Sequence, residues 1–350
     1  MPRCAGSHRP MLDVLIVGGG PAGLATALRL NQAGLDVVVC ERRVGTLDKA
    51  CGEGLMPGAL AALHRLSVDP PGAPIAGITY RDERHAVSTG FRRGPGRGVR
   101  RTILHDHLRA AVDSAGIPVL QQTVRDVWQD ENGIVAGGTR ARYLVGADGL
   151  HSTVRRLAGL GSPAPRRAAR YGLRRHFAIT PWTDHVEVWW GPSSEAYLTP
   201  VDRETLGVAF LSTRRASYED QLATHPALAE RLRAGRPVTP VRGAGPLRQR
   251  CRRVVAGRVL LVGDAAGYVD ALTGEGIAIS LAAADELANC LVADRPSEYD
   301  AAWRRASRRY RLLTHTLLQA RRLPVVPRTI TPLAGRMPWL FAAAVDQLAR

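Results

Sequence analysis

The sequence predicts an α/β protein built on a doubly wound sheet, with a second, antiparallel sheet inserted into it and helices toward the C-terminal end. Three observations predict this. A β-branched run at 13–17 enters the glycines of GGGPAG and then an apolar pattern of helical period. Between 166 and 250 the signal changes to alternating, aromatic-bearing runs. After RVLLVGDAAG, a buried strand entering another glycine turn, it becomes helical from Glu275 onward.

The first unit reads strand, tight turn, helix, strand. Leu24, Leu28 and Leu30, with Ala25 and Ala27, supply helix-forming and apolar positions, and Gly34 caps the helix before a second apolar run. The crossover of this βαβ unit should be right-handed. From Cys51 to Leu66 the chain reads as a glycine-rich loop and a short helix with Pro57 in its first turn. Residues 75–91 suggest a strand pair. Thr102 is placed to cap a helix running to Ala115, with Leu104, Leu108, Ala111 and Val112 on one face and Gly116 as its stop. Strands at 119–128, 133–136 and 141–145 lead into GADGLHSTVRR. The second sheet takes strands at 172–179, 185–190, 196–199 and 205–211. Pro324, Pro327 and Pro332 are expected to break the last helical stretch. The expected units are a discontinuous nucleotide domain (11–74, 100–165 and 252–293), a β-sheet substrate domain (75–99 and 166–251) and a C-terminal helical region (294–350).

Composition narrows the function. The 350 residues are 45% apolar and 23% charged, so the chain can bury a sizeable core and is not disordered. The net charge of +17 invites a nucleic-acid or anionic-membrane partner. Against this, Lys49 is the only lysine, and the arginines are scattered among many Ala, Gly and Pro residues, which points to a coding bias. No nucleic-acid partner is expected. Cys4, Cys40, Cys51, Cys251 and Cys290 form no C-x-x-C pair, which fits a reducing compartment and not a zinc site or disulfide framework. The start, MPRCAGSHRPM, lacks an apolar signal core, so a cytoplasmic location is expected. The best apolar stretch, 277–293, carries Asp285 and Glu286, so no membrane-spanning segment is expected.

Gly18, Gly20 and Gly23 form G-x-G-x-x-G between strand and helix, the Rossmann-like arrangement for a tight turn, close approach to a pyrophosphate and close helix packing. Glu41 stands eighteen residues beyond Gly23, where a carboxylate accepts hydrogen bonds from ribose hydroxyls and repels a 2′-phosphate. The site suits the ADP half of FAD or NAD.

GGGPAG with Glu41, GADGLHSTVR at 146–155 and VLLVGDAAGYVDALTGEGI at 259–277 together resemble the flavoprotein superfamily of p-hydroxybenzoate hydroxylase-like aromatic hydroxylases and geranylgeranyl-type reductases. The resemblance implies bound FAD, reduced by NADPH or NADH. It assigns Gly18, Gly20, Pro21, Ala22, Gly23, Glu41 and Arg42 to the pyrophosphate and adenosine ribose. Asp148 and Gly149 would link FAD binding with use of the nicotinamide donor, and Gly263 and Asp264 would meet the ribityl chain. Leu272 to Gly276, with Gly274 and Glu275, would form the loop and helix start beneath the flavin ring, and Ile277 is counted with the cofactor-binding residues. Backbone N–H groups there would stabilise the negative charge of reduced flavin by ~0.3–2 kcal/mol. At ~30 mV per 1.4 kcal/mol for two electrons, that raises its potential by tens of millivolts at most.

The two branches of the superfamily are both represented. Cys51-Gly52-Glu53-Gly54 resembles the Cys-Gly loop that passes near the flavin in reductases, and LTGEGI leans the same way. The strand-rich middle and RRTILHDHL, with Arg101 before the helix, resemble hydroxylases, and the resemblance counts Gly54 and Arg101 among the cofactor-binding residues. Ala271 stands where the family usually has proline, and Gly267 where many hydroxylases have histidine. The favoured expectation is a monooxygenase hydroxylating a phenolic or polyketide-like small molecule through a flavin C4a-hydroperoxide. The alternatives are reduction of a prenyl double bond, and a basic nucleic-acid or membrane-surface binding protein with a vestigial flavin site. Tyr197, His176 and Glu53 are each conceivable as the base, and Cys51 reads equally as a buried hydrophobe or a group beside the flavin. His105 and His107, two apart on one helix, read as solvated residues and not metal ligands. Trp182, Trp189 and Trp190 are candidates to line a flat apolar pocket. Arg304, Arg305, Arg308, Arg309 and Arg311 read as a solvated helix face. Oligomeric state is not legible.

Overall fold

The structure, a computed structural model, describes residues 11–163, 169–321 and 326–349; Cys4 and the rest of the first ten residues, and Pro324, lie outside them. Strand β1 (Leu12–Val17), helix α1 (Pro21–Gln32) and strand β2 (Val37–Glu41) form the predicted crossover. Pro21 opens α1 at a position whose N–H needs no partner, and Gly34, at φ 82°, turns the chain out of it. β1 pairs in parallel with β2 on one side, Ile16 opposite Val39, and with Thr139–Gly146 on the other, Ile16 opposite Val145. Val119–Gln121 extends the sheet beyond β2, and Val259–Leu261 extends it beyond Thr139–Gly146. The inner strands carry Val14, Leu15, Ile16, Leu144, Val145, Leu260 and Leu261 fully buried, because α1, Arg101–Ser114 and Gly276–Val292 pack as a layer over the sheet. Strand order reverses between β1 and Thr139–Gly146, which creates the crevice where α/β sheets bind ligands.

The second sheet runs Arg236–Pro237, Tyr171–Ala178, Thr205–Ser212, Ser194–Pro200, His185–Trp190, Gly77–Arg81, Ala86–Gly90. Its pairings are antiparallel except one: His185–Trp190 lies parallel to Gly77–Arg81, Glu187 opposite Thr79. The C-terminal helices Val326–Arg336 and Pro338–Leu348 pack on its Ala86–Gly90 edge, with Phe341 4.6 Å from the ring of Tyr80. No helix among the described residues is long and apolar enough to cross a membrane.

Several local expectations are corrected. Thr102 does not cap its helix: the Arg101 N–H is received by the Glu53 carboxylate at 2.9 Å, a cap supplied from a distant loop. The strand expected over 119–128 is two strands with different partners. Val119–Gln121 joins β2, while Val127–Gln129 forms a hairpin with Ile134–Ala136, anchored where Asp126 accepts the Gly137 N–H at 3.1 Å. Pro332 lies inside Val326–Arg336, where it removes one helical N–H; the break comes at Met337, ahead of Pro338 in the first turn of the next helix. The arginines of 304–311 are exposed on Tyr299–Arg321, as a solvated helix face requires.

Candidate functional site

Three glycine turns follow the carboxyl ends of three adjacent parallel strands, so the sheet itself sets them side by side. The turn at 18–20 follows β1, that at 146–149 follows Thr139–Gly146, and that at 263–267 follows Val259–Leu261. Their backbones touch: a Cβ on Gly18 would lie 2.5 Å from the Ala147 carbonyl oxygen, and one on Gly263 would lie 2.7 Å from the Ala22 Cβ. Arg155 bolts the second turn to the third. Its guanidinium donates to the Leu150 carbonyl at 2.6 Å, to Asp264 and Ala265 carbonyls at 3.2 and 3.1 Å, and to Gln249 at 2.8 Å.

A continuous cavity opens on this junction and runs to the second sheet. Among the residues expected to bind cofactor, Gly20, Pro21, Ala22, Gly54, Arg101, Gly149, Asp264, Gly274, Gly276 and Ile277 line it; so do Cys51, Glu53 and Tyr197. Gly18, Gly23, Glu41, Arg42, Asp148, Gly263 and Glu275 stand outside the cavity wall. Several of these shape it from behind. Glu41 accepts the Gly19 N–H at 2.8 Å, and Asp148 caps Thr153–Leu157 through the N–H groups of Thr153 and Val154 at 2.6 and 3.1 Å. Arg42 is exposed. The far end is walled by Met56, Ile78, Val186, Val188 and Leu348, with Tyr80 beside them. Trp182, Trp189 and Trp190 do not line it. Trp189 packs with Phe177 and Phe210 on one face of the sheet, and Trp190 with Tyr80 and Phe341 on the other, as strand alternation requires.

The electrostatics follow from burial. Burial pushes the Asp264 carboxyl up, opposed by the nearby cations of Lys49, Arg101 and Arg155. Lys49, missed as a site residue, lines the cavity; burial lowers its pKa, and Arg43 and Arg101 add to that. Its signal was its singularity among the basic residues. For Glu41, burial acts upward, but hydrogen bonds from Arg43 and Gly19 outweigh it and hold the carboxyl low. Glu275 is pushed up to about 7 by burial, against one hydrogen bond from Thr273, and its Oε2 has no partner. Burial raises the Cys51 thiol and, strongly, the Tyr197 phenol.

The three groups considered as a base are all engaged. Tyr197 donates its hydroxyl hydrogen to the Leu272 carbonyl at 2.9 Å and so braces the loop at 271–276. Glu53 Oε2 lies 2.6 Å from His176 Nε2, and its Oε1 accepts from Arg101. His105 is not solvated: it is buried, accepts the Leu47 N–H at Nδ1 at 3.4 Å and donates from Nε2 to the Gly19 carbonyl at 3.1 Å, so it holds the first glycine turn. Only the phase of its helix could have announced this. Two helix N-termini face the cavity, those of α1 and Gly276–Val292, and neither has a side-chain cap. With Lys49 and Arg101 nearby, this donor set fits a molecule carrying a diphosphate and a ring that gains negative charge.

Comparison with known proteins agrees with that chemistry. Residues 11–72 and 107–295 match the FAD binding domain family. The menaquinone reductase of Mycolicibacterium smegmatis is 30% identical over 332 residues, covering 83% of this chain and 79% of that protein. The 6-methylpretetramide 4-monooxygenase of Streptomyces rimosus is 29% identical over 324 residues, covering 80% and 74%. The flavin-dependent brominase Bmp2 shares the fold, with a TM-score of 0.81 at 15% identity over 97% of this chain and 93% of that one. The chain belongs to the FAD binding domain family and is an FAD-dependent oxidoreductase of the hydroxylase and prenyl-reductase superfamily.

Proposed function

We propose that the protein reduces a carbon–carbon double bond in an apolar, isoprenoid-like substrate, with NADPH or NADH as the electron donor. The observation that carries this reading is the apolar far wall of the cavity, formed by Met56, Ile78, Val186, Val188 and Leu348. A phenol or polyketide would need polar anchors there. Of the tyrosines on that side, Tyr197 has committed its hydroxyl to Leu272, and Tyr80 stands among apolar side chains, its ring against Trp190 and Phe341. The Cys51-Gly52-Glu53-Gly54 loop supports the same branch.

In this reading the N-terminus of α1, at Gly20 to Ala22, takes the FAD pyrophosphate with Lys49 as counter-charge. Glu41, held ionised, takes the adenosine ribose, and Asp264 the ribityl chain. The backbone of Gly274 to Ile277 meets the flavin ring, held in place by Tyr197. Bound FAD supplies the hydride-transfer chemistry between the nicotinamide donor and carbon. The second sheet and the C-terminal helices exclude water from the substrate end.

A second reading, hydroxylation of a phenolic or polyketide-like molecule, is favoured by the relative named 6-methylpretetramide 4-monooxygenase. Oxidation of NAD(P)H by the FAD-loaded protein, followed with a polyprenyl substrate and with phenols, in air and anaerobically, separates the two. Anaerobic, stoichiometric saturation of the polyprenyl chain is the expected result. Turnover that requires oxygen and is stimulated by phenols would replace the first reading with the second.

A further inference from the structure

The register of the second sheet lays a row of side chains along the cavity. Arg174 stands opposite Ala209, Ala209 opposite Tyr197, Tyr197 opposite Val188 and Val188 opposite Tyr80, each on the next strand. All five line the cavity, because residues in register across a sheet share a face. With strands ~4.8 Å apart the row is ~19 Å long. Its character changes from one end to the other. Arg174 is paired with Asp48, which also receives the exposed Arg242 at 3.0 Å, whereas Val188 and Tyr80 sit in an apolar cluster with Ile78 and Met56. A polar head buried among those side chains would lose its hydrogen bonds to water, so an elongated substrate lies with its apolar tail toward Tyr80.

The row has a fixed end. The next residue in register, Val87 on the edge strand Ala86–Gly90, is packed with the C-terminal helices and is not part of the cavity wall. The Tyr80 ring is held from two sides, edge-on by Trp190 at 5.4 Å and by Phe341 at 4.6 Å, and Leu348, on the same helix as Phe341, completes the wall. A side chain packed between two aromatic rings does not swing aside for a longer ligand. Midway along the row Tyr197 donates to the Leu272 carbonyl at 2.9 Å. From Tyr197 to Tyr80 is two strand spacings, ~10 Å, room for about two extended isoprene units.

We infer that Tyr80 is the stop for the substrate's tail, and that its distance from the loop at 271–276 selects which double bond is reduced. The inference rests on the reading above, in which that loop meets the flavin ring. The bond saturated is then the one beside Tyr197, set by its distance from the tail and not from the head. A hydride, with its electron pair, passes from the nicotinamide donor through bound FAD to one carbon, and a proton from the medium goes to the other. A longer chain keeps its tail at Tyr80 and extends its head past Arg174.

The test uses the FAD-loaded protein, NADPH or NADH, and linear polyprenols of increasing length, with the position of the saturated bond read by mass spectrometry. Wild-type protein should saturate a bond at a constant distance from the tail throughout the series. Tyr80→Ala opens the end, so the saturated bond should move further from the tail, and preference for longer over shorter chains should rise about 10-fold, the low end of what a few chain atoms are worth in an apolar pocket. Tyr80→Trp should move the bond toward the tail. Tyr80→Phe, which keeps the ring, should leave both readouts unchanged. Should Tyr80→Ala fail to fold, Leu348→Ala opens the same wall and should give the same shift. A wild-type bond fixed by its distance from the head, or the wild-type bond and length preference retained in the Ala and Trp variants, overturns the inference. Wild-type protein that saturates no polyprenol defeats the reading of the reaction and with it the stop, and shows this before any variant is compared.

Discussion

The two sheets bury opposite materials. The parallel sheet is apolar along its inner strands, and its chemistry is presented by backbone at the turns beyond the strand ends. The second sheet buries polar and charged side chains within its strands: Arg174, His176, Glu187 and Glu195 are each at most 1% exposed. Each has a partner. Arg174 is paired with Asp48, His176 with Glu53, and Glu195 with Arg170 and Arg321. Glu187 accepts from Arg81 at 3.0 Å and from the Trp189 indole at 2.9 Å. A buried charge persists only when paired and hydrogen-bonded. One half of the molecule therefore depends on the absence of side chains at a few points, and the other on the identity of side chains at many.

The sharpest way to break this contrast is to add one methyl group to the first half. In Gly23→Ala the new Cβ would run into the carbonyl oxygen of Gly18 and press on the Ala147 side chain, both fixed by the sheet. Backbone cannot yield as a flexible side chain does, so the loss should reach about 3 kcal/mol, the upper end for overpacking. The expected result is protein that melts earlier and purifies without flavin absorbance. A yellow Gly23→Ala protein with an unchanged melting temperature would mean that the first turn is not tightly coupled to the second.

In the second half the corresponding weakness is acid. His225 is buried, with Nε2 2.9 Å from the Ser194 hydroxyl, and burial lowers its pKa from 6.5 to about 4. A histidine that resists protonation when folded gives stability that is intact above the unfolded value. That stability drains away as pH falls from about 6.5 toward 4. Between pH 7 and pH 5 the loss is ~2 kcal/mol, from 1.36 kcal/mol per pKa unit. His225→Gln should remove this part of the pH dependence of the melting temperature. If the variant keeps the wild-type slope, the acid sensitivity lies elsewhere and the contrast between the sheets weakens.

This difference also explains what could be read in the sequence. The glycine turns are local: Gly18, Gly20 and Gly23 carry their meaning in their spacing, and the sheet order then brings 146–149 and 263–267 beside them. The second sheet's pairs are distant. His176 and Glu53 are 123 residues apart and Arg174 and Asp48 are 126 apart, so no pattern in either segment reveals the match. Alternation located the strand now seen at Tyr171–Ala178, but it could not supply the partners that let Arg174 and His176 be buried, which come from the 48–53 loop. Glu53 displaced Thr102 as the helix cap by the same long reach. His105 was misjudged because a polar residue on a helix reads as exposed until the glycine turn it supports is in place.

Tyr197 tests which kind of role the second sheet plays at the site. It is conceivable as a base from the sequence, yet its hydroxyl hydrogen is directed at the Leu272 carbonyl. Removing that hydroxyl in Tyr197→Phe deletes one buried hydrogen bond and leaves the carbonyl unpaired, a cost of ~1–3 kcal/mol in stability. The ring still fills its place among the apolar side chains. If Tyr197 is a brace, FAD should be retained and substrate turnover should fall less than about 10-fold, because loop position is perturbed but no proton transfer is lost. Loss of a general base removes ~100-fold or more. A fall of that size, with an unchanged flavin spectrum, would move Tyr197 from the loop's support to the chemistry. The second sheet would then act on substrate through a phenol.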